Sequence, residues 1–258
     1  MARAGRRRGG GAAKYSDVEQ HTYQGYLGPP WARALLSATA TAKTPARPGL
    51  FSSSHPQAAK EVKIIAKKEK FINSGTELEF TSARLNSKKS FTYGKLDVRA
   101  KLPREKGTWP AIWTLGTNIN EVGNYFGDSE GSVGWPKCGE IDIMEQNGWN
   151  KNELYGYFHY ANSQGVYNSH GDLTNINNTS GTYHVYSMEW TKDKIRILVD
   201  NKEFVSLNNT ADVPFDNPHY LLLNIAIGGN LGGDIDPSFS QDLSLIHISE
   251  PTRRRGMA

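Results

Sequence analysis

The stretch "GKLDVRAKL", Gly94–Leu102, decides the fold class of this chain. In it the apolar residues Leu96, Val98 and Ala100 alternate with charged residues. Successive side chains of a β-strand point to opposite faces, so a period of two predicts a strand with one buried and one solvent-facing side.

The same pattern recurs along the chain. "KIRILVD" (Lys194–Asp200) alternates in this way and turns at Asn201 into "KEFVSL", which is typical of a β-hairpin. Further strand candidates, separated by Gly, Asn and Asp turns, are "VKIIAK", "LEFTSARL", "ELYGYFHY", "TYHVYSMEW" and "HYLLLNIAIG". No stretch has a long helical period and no segment repeats. Many short strands without helices between them predict an all-β, antiparallel sandwich or barrel.

The distribution of charge argues against nucleic acid as a partner. The chain of 258 residues has a formal net charge of +4. Residues 1–60 carry +7 and residues 243–258 carry +2, which leaves −5 on residues 61–242. The central region therefore lacks a basic stripe that could bind phosphates. Nor does any run approach the roughly 18 apolar residues of a membrane span, so no membrane partner is expected.

The two ends differ in composition from the middle. Residues 1–60 are rich in Ala, Arg, Gly, Ser and Pro and have no sustained period, which predicts disorder or a misassigned reading frame. They contain no convincing signal peptide. "LSLIHISEPTR", Leu243–Arg253, resembles the translation of a sequencing adapter, so residues 243–258 are predicted to be an artefactual tail. One domain is thus predicted over residues 61–242, lacking its last strand.

A second informative stretch is "KCGEIDIMEQNG", Lys137–Gly148, which places three acids in an apolar strand pattern. Glu140 and Asp142 share one face of the predicted strand. Regular alternation would turn Glu145 into the apolar interior, where an ionised carboxylate is costly. One extra residue, a β-bulge, returns Glu145 to the face of the other two acids, and bulges are common beside active sites.

The bulged spacing is compatible with paired-carboxylate catalysis. Glu140 and Glu145 would then lie about 13 Å apart at Cα, at about 3.3 Å per residue. Glutamate side chains that lean together could approach the ~5–5.5 Å separation of a retaining glycosidase. Asp142 would hydrogen-bond one of them and separate their pKa values. A solvated strand face or a cation site are alternatives, although Ca²⁺ ligands lie more often on loops.

Aromatic residues surround the acidic strand in the sequence. Trp109 and Trp113 occur in "GTWPAIWTLG", and Trp135 precedes the acids. Indole rings provide flat platforms for the apolar faces of sugars, whereas the alternative is that they fill the core, which we expect of Trp190. His159 could pair with a carboxylate across a hairpin or be a structural histidine.

Other catalytic chemistries have little support. The single cysteine, Cys138, excludes an intramolecular disulfide and is either a catalytic thiol or a small buried residue. The sequence contains no HExxH, GxSxG or phosphate-loop motif. Metalloprotease, serine hydrolase and nucleotide-binding functions are therefore not indicated.

Five motifs resemble glycoside hydrolase family 16, and most closely its laminarinase-type endo-1,3-β-glucanases. They are "FTYGKLDVRAKLP", "GTWPAIWTLG", "WPKCGEIDIMEQNG", "YHVYSMEWT" and "LLLNIAIGGNLGG", within about Val62 to Gln241. The resemblance implies an antiparallel β-jelly-roll sandwich, concanavalin A-like, with a concave substrate cleft.

The resemblance also implies roles for individual residues. Glu140 would be the nucleophile, Glu145 the acid/base and Asp142 the supporting acid. The implied substrate-binding residues are Trp109, Trp113, Trp135, His159, Arg84 and Asn224. Catalysis would need no cofactor and no metal; a structural calcium is common in the family but cannot be mapped onto this sequence. The implied protein is a monomer that acts outside the cytoplasm, extracellular or periplasmic.

The implied activity is retaining hydrolysis, by double displacement, of 1,3-β-glucan or mixed-linkage 1,3-1,4-β-glucan. The E-x-D-x-x-E spacing favours these substrates over those of relatives with E-x-D-x-E. Agar or carrageenan remain alternative substrates. A non-catalytic glucan-binding module of the same fold is an alternative of a different class.

Overall fold

The computed structural model describes residues 18–20, 61–73, 76–213 and 215–248, and only the backbone of residues 18–20, 61, 73, 76 and 241–248. These residues form strands that pair antiparallel, together with two one-turn helices. The strands are β1 (Val18–Gln20), β2 (Glu61–Asn73), β3 (Thr76–Thr81), β4 (Arg84–Phe91), β5 (Gly94–Lys101), β6 (Thr108–Gly116), β7 (Glu140–Gln146), β8 (Glu153–Ala161), β9 (Tyr167–Asn175), β10 (His184–Trp190), β11 (Lys194–Val199), β12 (Lys202–Asn208), β13 (His219–Ile227) and β14 (Gln241–Ile248); the helices are α1 (Gly127–Glu130) and α2 (Gly229–Gly232).

The strands build two seven-stranded sheets. The site sheet has the order β1-β4-β13-β6-β7-β8-β9, and the outer sheet has the order β12-β11-β10-β5-β14-β2-β3. Half of the neighbouring pairs, such as β13-β6 and β10-β5, join strands that are distant in the chain, as in a jelly roll. The predicted all-β, antiparallel fold class is confirmed.

The hydrophobic core lies between the two sheets. Val98 of β5 and Tyr186 of β10 face Ile143 of β7 and Ile225 of β13, and all four are fully buried. Full burial of such an apolar side chain contributes about 1.5–3 kcal/mol. Trp190 is also fully buried and donates its indole N–H to the carbonyl of Phe215 at 3.0 Å, which confirms its predicted place in the core.

The predicted hairpin at Asn201 joins β11 to β12. Asp200 and Asn201 have φ angles of +49° and +65°, respectively. Two left-handed residues form the type I′ turn that matches the twist of paired strands, and Asn and Asp tolerate this conformation well.

The described strands continue past residue 242, the predicted end of the domain, and the expectation that the domain lacks its last strand stays a prediction. β14 (Gln241–Ile248) pairs with β2 on one side and with β5 on the other, so it fills a central place in the outer sheet. Whether residues 243–258 are artefactual stays a prediction, and residues 249–258 lie outside the described residues. Within residues 1–60 the structure describes only β1, which pairs with β4. The predicted disorder of the rest lies outside the described residues.

None of the helices among the described residues is long and apolar enough to span a membrane.

Candidate active site

The three predicted acids lie on β7, near the middle of the site sheet. The pairing of β7 with β8 shifts register between Asp142 and Glu145, at the place where the sequence predicted a bulge. Ile143 and Met144, which separate these two acids, are both buried in the core. The bulge therefore turns Glu145 back to the open face of the sheet, called the cleft face below, and the predicted bulge is confirmed.

Glu140 occupies the first position of β7, directly opposite His159 of β8. Its carboxylate accepts a hydrogen bond of 3.1 Å from the indole N–H of Trp135. Burial raises the pKa of Glu140 well above its ordinary value, and the charges of Asp142 and Glu145 raise it further. His159 and the Trp135 hydrogen bond act in the opposite direction, because they favour the ionised form.

Asp142 is the most buried of the three acids, with 3% of its surface exposed. Its Oδ2 atom lies 3.3 Å from Nε2 of His159, so the predicted pairing of this histidine with a carboxylate is confirmed. Burial raises the pKa of Asp142 well above its ordinary value, and the charge of Glu145 adds to the effect. Asp142 thus lies between the two glutamates on the same face of β7.

Glu145 is bound by the second tryptophan of the site. The indole N–H of Trp109 donates to its Oε1 atom at 2.9 Å. Burial raises the pKa of Glu145, while the Trp109 hydrogen bond and the charge of His159 lower it. Because burial disfavours the ionised form of all three acids, these carboxyls retain protons to higher pH than isolated carboxyls do.

Trp113 is held by the two other residues that the resemblance implied. Asn224 accepts the indole N–H of Trp113 at 2.7 Å, and the guanidinium carbon of Arg84 lies 4.8 Å from the ring centroid. Arg84 is fixed in turn by Glu121, at 2.5 Å from Nη2, and Glu121 also accepts from the Tyr220 hydroxyl. Arg84 and Asn224 therefore contact the site through Trp113.

A row of aromatic rings extends the site from β8 to the edge strand β9. The ring of His159 is stacked with Tyr157 and with Tyr167, at centroid distances of 5.7 and 6.1 Å. Trp135 lies 5.3 Å from Tyr167, and both of these rings are exposed, to 40% and 48%. Exposed aromatic rings beside carboxylates provide surfaces that suit sugar rings.

Trp149, which follows β7 and is 49% exposed, was not among the predicted site residues. Lys106 Nζ lies 4.7 Å from its ring centroid. A Cβ added at Gly233 would lie 2.5 Å from the Trp149 indole nitrogen, so α2 packs directly against this side chain. The signal in the sequence was a tryptophan four residues after the last acid, within "EQNGW".

Cys138 is not placed to be a nucleophile. It is fully buried in a small apolar cluster with Leu115, Tyr220 and Leu222. Burial strongly raises the pKa of its thiol, which keeps it in the unreactive protonated form. The alternative of a small buried residue is therefore the one observed.

Among the described residues, Glu140, Asp142 and His159 bring possible metal-ligand atoms within 4.8 Å of one another. These three belong to the cleft face, so a cation bound there would occupy the carboxyls. The structural calcium that is common in the family has no residues assigned to it here and stays a prediction.

Most glycoside hydrolases use a pair of Asp or Glu residues, and this site presents two glutamates on one face of the sheet. A family model described as glycosyl hydrolases family 16 matches residues 50–243. The chain belongs to this family, and the match begins some residues before the domain start predicted from the sequence.

Comparison with individual proteins supports the same family. The crystal structure of LamAcat from Zobellia galactanivorans is 52% identical, with a TM-score of 0.71, over 72% of this chain and 75% of that one. A variant of LamA from the same organism, in complex with laminaritriose and laminaritetraose, is 43% identical with a TM-score of 0.78, over 90% of each chain. The beta-glucanase of Rhodothermus marinus is 39% identical over 175 residues, 62% of this chain and 57% of that protein. The chain spans less than two thirds of the length of the curated relatives it matches.

Proposed function

We propose that this chain is a retaining endo-β-glucanase that hydrolyses 1,3-β-glucan or mixed-linkage 1,3-1,4-β-glucan. The observation that carries the proposal is the bulged strand β7, which places Glu140, Asp142 and Glu145 on the open cleft face. Each glutamate there is bound by a tryptophan N–H, at 3.1 Å for Glu140 and 2.9 Å for Glu145. This arrangement supplies two carboxyls in different environments and flat surfaces for a sugar chain.

In the first step, Glu145 acts as the acid. It transfers its proton to the glycosidic oxygen as the bond to the anomeric carbon breaks, and the Glu140 carboxylate forms a bond to that carbon. The shortened polymer leaves with the new hydroxyl, and the other fragment stays as an ester of Glu140. Burial raises the pKa of Glu145, which helps it to hold a proton, but it raises the pKa of Glu140 as well. The assignment of the acid role to Glu145 therefore rests on the family resemblance.

In the second step, Glu145 acts as the base. Its carboxylate takes a proton from water while the water oxygen attacks the anomeric carbon and releases Glu140. Two displacements at the same carbon retain the β configuration. Asp142 is proposed to support the exchange of charge between the glutamates, since it lies between them on the same face, where burial and the charge of Glu145 raise its pKa.

The side chains around the acids cover a long surface of the site sheet, which supports a polymer as the substrate and cleavage at internal bonds of that polymer. The side chains around the acids come from β4, β6, β7, β8 and β9, which span most of the site sheet. A sugar chain could lie across this face and continue beyond it in both directions. Similarity to LamA, whose complex holds laminaritriose and laminaritetraose, favours 1,3-linked glucose units.

The site is built by one chain, so we propose that the protein acts as a monomer. A polymer of this kind does not cross a membrane intact, and we therefore propose action in the extracellular space or the periplasm.

The test is release of reducing sugar from laminarin, with lichenan and agarose in parallel. We expect activity on laminarin, its loss in Glu140→Gln, and full activity in Glu79→Gln, a control on the exposed surface of β3 in the outer sheet. Activity on agarose alone would overturn the proposed substrate. Laminarin binding without turnover by a folded wild-type chain would instead favour the glucan-binding module.

A further inference from the structure

The Tyr167 hydroxyl, on the edge strand β9, takes part in a chain of contacts that ends at a catalytic acid. It lies 2.9 Å from Nδ1 of His159, and Nε2 of the same imidazole lies 3.3 Å from Oδ2 of Asp142. His159 pairs directly across the sheet with Ser169. Tyr167 is therefore the diagonal neighbour of His159, within reach of a long side chain.

The chemistry of the three groups restricts how they can be paired. When the Asp142 carboxyl is ionised it can only accept hydrogen bonds, so the His159 nitrogen that faces it, Nε2, then carries the proton. In a neutral imidazole the other nitrogen, Nδ1, is then an acceptor and needs a donor. The Tyr167 hydroxyl is a donor at the right distance.

Ring stacking alone does not determine which nitrogen of His159 faces Asp142. Tyr157 and Tyr167 lie nearly parallel to the His159 ring, with interplanar angles of 9° and 11°, and so they fix its plane. Rotation of the imidazole by 180° about its Cβ–Cγ bond keeps the ring in that plane. It exchanges nitrogen and carbon positions and leaves the stacking unchanged. The hydroxyl of Tyr167 distinguishes the two orientations, because only a nitrogen can accept from it.

We propose that Tyr167 is a positioning residue for the reaction: its hydroxyl fixes the orientation and tautomer of His159, so that Nε2–H stays directed at Asp142. This inference rests on the proposed function. It assigns to the edge strand β9 a part in catalysis that does not require contact between the Tyr167 hydroxyl and the sugar.

The test is Tyr167→Phe, which keeps the aromatic ring and removes only the hydroxyl. Loss of one hydrogen bond of ordinary strength lowers kcat on laminarin by about three- to tenfold, and KM stays unchanged. Because the hydroxyl acts through the imidazole, adding Tyr167→Phe to a His159→Ala chain causes no further loss. Unchanged kcat in the single variant, a raised KM alone, or independent and multiplicative losses in the double variant would overturn the proposal.

A second measurement separates this inference from the proposed function. The ¹⁵N shifts of the His159 imidazole report its tautomer without any turnover. We expect protonated Nε2 and unprotonated Nδ1 in the wild-type chain, and a mixture of tautomers in Tyr167→Phe. If the wild-type chain were folded but inactive on every glucan, the proposed function would fall, whereas identical spectra of the two chains would overturn the positioning role.

Discussion

Glu140 is a residue whose position lowers the stability of the folded chain at neutral pH. Burial and the neighbouring acids raise its pKa, so the folded chain favours the protonated form. A raised pKa contributes stability that is fully present below the unfolded value of about 4.3 and is lost as the pH rises through the folded value. At neutral pH the ionised carboxylate therefore lowers the free energy of unfolding.

Glu140→Gln removes this cost and is expected to raise the Tm at pH 7.5. The gain becomes smaller toward pH 4, where the wild-type carboxyl is itself protonated. Thermal unfolding followed by circular dichroism at the two pH values measures the difference, with Glu79→Gln as the exposed control. A gain that is larger at pH 4 than at pH 7.5 would contradict the assigned direction of the pKa shift.

The residues of the site were predictable from the sequence to different degrees. Glu140, Asp142 and Glu145 followed from strand alternation and from the cost of burying a charge. The contacts of Tyr167 and Glu121 did not follow, because each depends on which strands are neighbours and in what register. Glu121 lies 37 residues after Arg84, and no spacing rule connects the two.

Elements whose conformation depends on local chemistry were also predictable. The β11–β12 hairpin followed from Asp200 and Asn201, and the bulge of β7 followed from three acids in an apolar strand. The α2 turn did not, because its position depends on close approach between separate backbones. A Cβ added at Gly148 would lie 1.9 Å from the carbonyl oxygen of Gly232, and Gly148 N–H donates to the carbonyl of Leu231 at 2.7 Å.

Gly148→Ala tests this contact. The added methyl group must displace the α2 turn, which packs against Trp109 and Trp149, so we expect about 1–3 kcal/mol of destabilisation and a lower kcat/KM on laminarin. Gly134→Ala is the matched control, since a Cβ there meets nothing within 4 Å. Equal stability and activity of the two variants would show that the α2 turn can move without affecting the stability or the activity of the protein.

In the whole molecule, β14 is the strand that joins the two parts of the outer sheet. It lies between β5 and β2 in the outer sheet, so its removal would leave two strands with unpaired backbone edges. The composition of its residues did not predict this place, because the resemblance to an adapter sequence carries no information about backbone pairing.

Truncation after Asp242 removes most of β14 and is expected to lower the Tm by roughly 10 °C or more, equivalent to a loss of several kcal/mol. The matched control is truncation after Ile248, which keeps the whole strand. Differential scanning calorimetry measures the Tm of the two truncated chains and of the full chain. Equal Tm values for the two truncated chains would show that β14 adds nothing to the stability of the sandwich.

The central claim is that Glu140 and Glu145 carry out two displacements at one carbon. The most direct test is ¹H NMR of laminarin during the first minutes of hydrolysis, before the product anomers equilibrate. The account predicts that the β-anomer of the new reducing end appears first and that the α-anomer grows later by mutarotation. First appearance of the α-anomer would contradict the double displacement and the assignment of Glu140 as the nucleophile.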